Sequence, residues 1–78
     1  MQCFFVHIKC QLGRTYDVAA ALADREIASE IHSISGEYDL LAKFYLSRDQ
    51  DIGHFIAQNL HDIDGVERTV TTLTFKAF

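Results

Sequence analysis

Two different periods of apolar residues alternate along this chain, and the switches between them divide it into six elements. From Gln2 to Gln11 the period is two: Phe4, Val6 and Ile8 share one face, while Phe5, His7 and Lys9 share the other. Aromatic and branched residues in that pattern predict a central β-strand. Leu12-Gly13-Arg14 breaks it. Thr15 or Asp17 is suited to cap a helix, and the alanine-rich run from Val18 to Arg25, with Val18 and Leu22 one turn apart, carries that helix to about Glu26. Period two returns where Ile27, Ser29, Ile31 and Ser33 alternate with Ala28, Glu30, His32 and Ile34, predicting a half-exposed strand. Ser35-Gly36-Glu37 turns the chain into a third strand, Tyr38 to Leu46, with Leu40, Ala42, Phe44 and Leu46 on one face and Leu41, Lys43 and Tyr45 on the other. The short connection makes these two strands an antiparallel hairpin.

A second helix opens at Ser47 or Asp49 and carries Ile52, Phe55, Ile56, Leu60 and Ile63 at intervals of three or four, one buried stripe, before Asp64-Gly65 ends it. Val66 to Phe78 is the fourth strand, with Val70, Thr72 and Thr74 facing one way and Thr69, Thr71, Leu73 and Phe75 the other. The order is that of an α+β, ferredoxin-like βαββαβ fold: a four-stranded antiparallel sheet with two helices on one face. Yet the strands are apolar on both faces. Phe5 or Phe4, Leu41 and Tyr45 or their neighbours, and Leu73 and Phe75 are expected on the face the helices do not cover. Burying such side chains stabilises by about 1.5–3 kcal/mol each, so two sheets pairing face to face in a homodimer is the expected solution.

Composition adds reasons for a partner and removes several functions. The 78 residues make one domain, residues 1–78. A domain of this size buries only about 60% of the surface its unfolded chain exposes. Eleven acidic residues outweigh seven scattered basic ones, which argues against direct contact with nucleic acid. The apolar run near the start, Cys3 to Val6, is too short for a signal-peptide core or a membrane span. A cytoplasmic protein is expected. Cys3 and Cys10 lie on one strand, about 23 Å apart at ~3.3 Å per residue and pointing to opposite faces, so they are read as free strand-filling thiols.

Candidate chemistry is sparse. His54 and His61, seven apart on a helix, are too distant to chelate one ion, and His7 and His32 belong to different strands, so neither metal nor cofactor is predicted. No GxSxG elbow, phosphate loop, HExxH or CxxC is present, and no catalytic residues are assigned. Asp49 with Asp51 and Asp62 with Asp64 bracket the second helix and read as helix-start and solvated-turn residues.

The sharpest segment is Ile34-Ser35-Gly36-Glu37-Tyr38-Asp39-Leu40-Leu41, joined at the far end by Gly65-Val66 and the strand Thr69-Val70-Thr71. A Gly-Glu-Tyr-Asp turn before an apolar strand, followed by Gly-Val and Thr-x-Thr, resembles the effector-binding (RAM) domain of the Lrp/AsnC family of amino-acid-responsive regulators. The resemblance in order and spacing covers nearly the whole chain. It implies dimers through the sheet faces, assembly into octamers or decamers, and amino acids bound between dimers. The residues it nominates for ligand binding are Gly36, Tyr38 and Asp39 in the turn and Thr69 and Thr71 on the last strand. Gly36 would expose amide donors to a carboxylate, Asp39 would pair with an α-ammonium group, and the threonine hydroxyls would orient the ligand. Ordinary turn and strand roles are the alternative for all five.

Full-length family members carry a helix-turn-helix domain. This sequence enters its first strand just after Met1, so it reads as a stand-alone effector domain without a DNA-reading helix, sensing an amino acid itself or joining mixed assemblies with full-length regulators. The competing reading is an enzyme of the dimeric α+β barrel type, a monooxygenase or isomerase, with His7, Tyr38 or Tyr45 as acid or base. A third is a scaffold that caps a regulator's assembly and binds no small molecule.

Overall fold

The computed structural model describes residues 1–78, all of the chain. Its elements are β1 (Gln2–Cys10), α1 (Thr15–Asp24), β2 (Glu30–Ser33), β3 (Leu40–Leu46), α2 (Ile52–Asn59) and β4 (Val66–Leu73). The four strands form one antiparallel sheet in the order β2-β3-β1-β4, so β1 is central, as its two-sided apolar pattern predicts, and the βαββαβ fold is the one the sequence indicates.

The even-numbered residues of β1, Phe4 to Cys10, interleave with Leu40, Ala42, Phe44 and Leu46 of β3 to form one face of the core. Val18 and Leu22 of α1 and Ile56 of α2 close over it, with Leu60 and Ile63 just beyond α2. Phe4 stacks on Phe44 with ring centroids 5.2 Å apart, and Phe55 meets both edge-on at 6.2 and 5.7 Å. Such pairs add about 0.5–1.5 kcal/mol beyond their buried area.

Element ends differ from expectation where capping and turn geometry override periodicity. Neither Thr15 nor Asp17 caps α1: Arg14 holds the N-cap without a side-chain cap bond, and its guanidinium joins Asp17 at 3.0 Å and Asp64 at 3.1 Å. The helix stops at Asp24 because Glu26 takes the left-handed conformation, φ 55°. Neither Ser47 nor Asp49 caps α2. Those two bond each other at 2.6 Å, and Asp51 caps instead, its Oδ1 accepting the Gly53 N–H at 3.1 Å. α2 ends at Asn59, earlier than expected, and a turn brings Leu60 and Ile63 into the core.

β2 is shorter than the Ile27–Ile34 alternation suggests, because pairing with β3 begins only at Glu30. β3 begins at Leu40, leaving Tyr38 and Asp39 in the turn. β4 ends at Leu73, short of Phe78, and Phe75 and Phe78 are fully exposed beyond it. Register also corrects one face. Leu73 sits opposite Phe4, on the helix side of the sheet, and Phe75 is outside the strand, so neither belongs to the uncovered face. What β4 presents there is Val70, opposite His7, and Thr72, opposite Phe5.

Candidate functional site

The uncovered sheet face combines Phe5, His7, Leu41, Tyr45 and Val70 with a few charges. Tyr45 and Val70 are 45% and 44% exposed, whereas the side chains on the helix side of β1 and β3 are essentially sealed. Lys43 crosses this face with its ammonium 5.9 Å from the Phe5 ring and 5.2 Å from the Tyr45 ring, and 3.5 Å from Glu30. Glu30 also bonds His32 at 2.9 Å, and His32 first, then Lys43, hold its carboxyl below the usual range. Lys43 and Glu30 are therefore paired on this face, and His7 stands among its apolar residues at the middle of β1.

At one end of this face stands the β2–β3 turn. The Ile34 N–H donates to the Asp39 carbonyl at 3.0 Å and closes it, and Gly36 at its tip has φ 100°, which a side chain would strain. Tyr38 lies over the uncovered face: its ring meets His7 edge-on at 5.7 Å, and the Arg68 guanidinium sits 5.2 Å from the ring centroid. Arg68 also donates to Glu37 at 3.0 Å, so the start of β4 holds two consecutive turn residues. Asp39 turns instead to the end of β1. Its Oδ2 accepts the Cys10 backbone N–H at 2.8 Å and lies 3.8 Å from Lys9 Nζ.

The five nominated residues do not converge within one chain. Gly36, Tyr38 and Asp39 share the turn, whereas Thr69 and Thr71 stand opposite Ile8 and Val6 on the helix side of β4. The Thr69 hydroxyl lies 3.1 Å from His61 Nε2, just after α2. Thr71 lines an open groove of about 500 Å³ with Gln2, Asp51, Ile52, Ile56 and Leu73. A second depression, about 450 Å³, does reach the turn: Asp39 lines it with Ser33, Ile34, Gly13, Thr15 and Tyr16. The α1 residues of that depression were not legible in the sequence, because nothing short of the folded topology sets the start of α1 beside the β2–β3 turn.

Cys10 is buried at this junction, and burial first, then the neighbouring Asp39 carboxylate, push its thiol above the ordinary range. It is a core residue, and both it and the half-buried Cys3 are free thiols. No three His, Cys, Asp or Glu residues are grouped so as to hold a metal ion. No helix is long and apolar enough to cross a membrane.

Comparison with known proteins matches this geometry to one class, the ligand-binding domains of transcriptional regulators. A family model described as the Lrp/AsnC ligand binding domain matches residues 3–78, and the chain belongs to that family. It is 35% identical over 82 aligned positions to an HTH-type transcriptional regulator of Pyrococcus horikoshii, covering 86% of this chain and 55% of that protein. A similar regulator of Pyrococcus abyssi is 34% identical with the same coverage. This chain thus spans about 55% of the length of the curated relatives it matches. Among solved structures, a Thermus thermophilus protein superposes with TM-score 0.89 at 32% identity, covering 100% of this chain and 98% of that one. A Neisseria meningitidis transcriptional regulator, solved as its L-Met complex, shares the fold with TM-score 0.82 at 17% identity, over 96% of this chain and 50% of its own.

Proposed function

We propose that this chain is a non-enzymatic, effector-binding regulatory module that works as a homo-oligomer. The observation that carries the proposal is the uncovered sheet face: Phe5, Leu41, Tyr45 and Val70 form an apolar surface beside a fully packed one, in a domain too small to leave it unprotected at no cost. A second copy of the chain covers it, sheet against sheet, and these dimers assemble further into an octamer or decamer. The regulatory class of the relatives supports this reading over the enzymatic one.

The effector is an amino acid or a related small molecule. The L-Met complex of the Neisseria relative supports that class. Its site is built around Gly36, Tyr38 and Asp39, of which Asp39 lines the depression shared with Ser33 and Tyr16. Thr69 and Thr71 face away from that turn, so in this reading they reach the ligand from another copy. Only an assembled particle then has a complete site. The module's output passes through full-length HTH-type regulators of the same family, whose assemblies it joins or modulates.

A thermal-shift panel of the twenty amino acids, run beside native mass measurement, tests the reading. A ligand at 100 times its dissociation constant adds about 2.7 kcal/mol to stability. An oligomer stabilised by one or a few amino acids is expected. A stable oligomer indifferent to all twenty supports the scaffold reading, and a monomer removes the interface on which the site depends.

A further inference from the structure

At the end of β1 a small cavity of about 200 Å³ is lined by Lys9, Cys10, Gln11, Thr15, Asp39 and Glu67. β3 stops opposite Ile8, so Lys9 stands past its end, and the pairing of β1 with β4 shifts at the same point. Lys9 is opposite Arg68 and Cys10 is opposite Val66, which leaves Glu67 as an extra residue without a partner across the ladder. Bulges of this kind re-aim a side chain, and this one brings a carboxylate to the cavity that Lys9 and Asp39 share.

The three charges are not equally free. Asp39 Oδ2 accepts the Cys10 backbone N–H at 2.8 Å and lies 3.8 Å from Lys9 Nζ. A direct charge-assisted hydrogen bond is about 2.7–2.9 Å long, so the Lys9 ammonium still has donors to offer. Glu67 is exposed and pairs with no cation, since the adjacent Arg68 is held by Glu37. An ammonium with spare donors and an uncommitted carboxylate thus line one cavity. Pockets for drug-sized ligands run to about 300–1,000 Å³, so this one suits a small head group. A simple anion would meet Lys9 but be repelled by Asp39 and Glu67, and a simple cation would be repelled by Lys9. A head group carrying both signs matches the lining.

We propose that Lys9 and Glu67 hold the charged head of an α-amino acid: the Lys9 ammonium takes its carboxylate, the Glu67 carboxylate takes its α-ammonium group, and Asp39 keeps Lys9 and the end of β1 in place. The proposal rests on the effector reading above and deepens it, because the head-group charges then come from β1 and the β4 bulge and not from Asp39. The cavity shares Gly13, Thr15 and Asp39 with the depression lined by Tyr16, Ser33 and Ile34, which gives the side chain of the amino acid a place to extend.

The experiment is calorimetric titration of the native chain, Glu67→Gln and Lys9→Gln. Three probes are used: whichever of the twenty amino acids most stabilises the native chain, its carboxamide, which lacks the carboxylate charge, and the corresponding acid without the α-amino group. The native chain should bind the amino acid about tenfold or more tighter than either analogue. Glu67→Gln should lose the preference over the deaminated acid and keep the preference over the carboxamide, and Lys9→Gln should do the reverse. A disturbed fold would weaken all three probes together and could not separate the two preferences. Glu67→Gln removes no ion pair, so it decides alone should Lys9→Gln fold poorly. Variants that bind the amino acid with both preferences intact would overturn the head-group assignment and leave the effector reading standing. A native chain that binds none of the twenty would overturn both.

Discussion

The Asp39 carboxylate accepts the Cys10 backbone N–H at 2.8 Å, a side chain standing in for a strand where the β1–β4 register shifts between Lys9 and Cys10. The bond ties the β2–β3 turn to the end of the central strand, and the turn's Asp39 N–H donates to the Ile8 carbonyl at 2.9 Å beside it. A residue that the family resemblance nominates for ligand binding thus already has a structural task.

That double role changes what Asp39→Ala should do. Removing the carboxylate leaves a part-buried N–H without its acceptor, and the loss should be about 1–3 kcal/mol in chemical denaturation even with no ligand present. Asp39→Asn keeps an acceptor oxygen and should recover most of that loss. A clean test of effector binding therefore compares the native chain with Asp39→Asn. A fully stable Asp39→Ala protein would contradict the structural role.

Two glycines with nearly the same φ should respond differently. Gly36 and Gly65 have φ of 100° and 99°, but a Cβ on Gly65 would meet Val18 Cγ2 at 2.9 Å and Arg14 Cβ at 3.3 Å, while one on Gly36 would meet nothing. Gly65→Ala adds overpacking to backbone strain and should cost more than about 2 kcal/mol. Gly36→Ala carries strain alone, about 1 kcal/mol. Thermal melts compare them, at roughly 4–8 °C per kcal/mol for a domain of this size.

Glu26 offers the opposite experiment. Its φ of 55°, two residues after α1 ends, is a position that glycine normally fills. Glu26→Gly should raise stability by up to about 1 kcal/mol, read as a higher Tm. A lowered Tm would mean that the Glu26 side chain does something its geometry does not reveal.

The Arg25–Asp62 pair sets an acid dependence of known sign. Arg25 donates to both Asp62 oxygens, at 2.7 and 3.3 Å, and to the Asn59 carbonyl at 2.8 Å, joining the end of α1 to the chain after α2. The hydrogen bond from Arg25, offset in part by burial, holds the Asp62 carboxyl below its usual range. A depressed folded-state pKa gives a contribution that is fully present above the unfolded value, about 4, and is lost as pH falls through the lower folded value. Asp62→Asn should flatten that part of the pH–stability curve, and added salt should shrink the difference because the pair is exposed.

Much of the fold was legible in the sequence because periodicity reports burial directly. The strict alternation of Phe4, Val6 and Ile8 against Leu40, Ala42 and Phe44 is the core itself. Element ends were less legible, since they depend on single backbone bonds: Asp51 on Gly53, the left-handed Glu26, the Ser29 N–H to the Lys43 carbonyl just before β2. The side to which Leu73 turns needed the β1–β4 register, and a one-residue shift would have reversed it. For the site, the turn from Gly36 to Asp39 was readable as a motif. The inward bond of Asp39, the separation of Thr69 and Thr71 from it, and the neighbouring start of α1 are facts of topology that no local pattern encodes.

The surface itself can be attacked at Leu41. Leu41→Asp puts an unpaired charge at the centre of the uncovered face while leaving the helix-side core intact. If that face is an interface, the dissociation constant should rise by roughly two orders of magnitude or more. An unchanged assembly would show that the subunits meet elsewhere.

The most direct test of the central claim is the mass of the native particle at micromolar concentration near neutral pH, by native mass spectrometry or sedimentation equilibrium. The sheet-face account expects a dimer or an even multiple of the 8.9 kDa chain, with no appreciable single copies. A stable 8.9 kDa species that persists on concentration, its Phe5, Leu41 and Tyr45 side chains open to solvent, would contradict it.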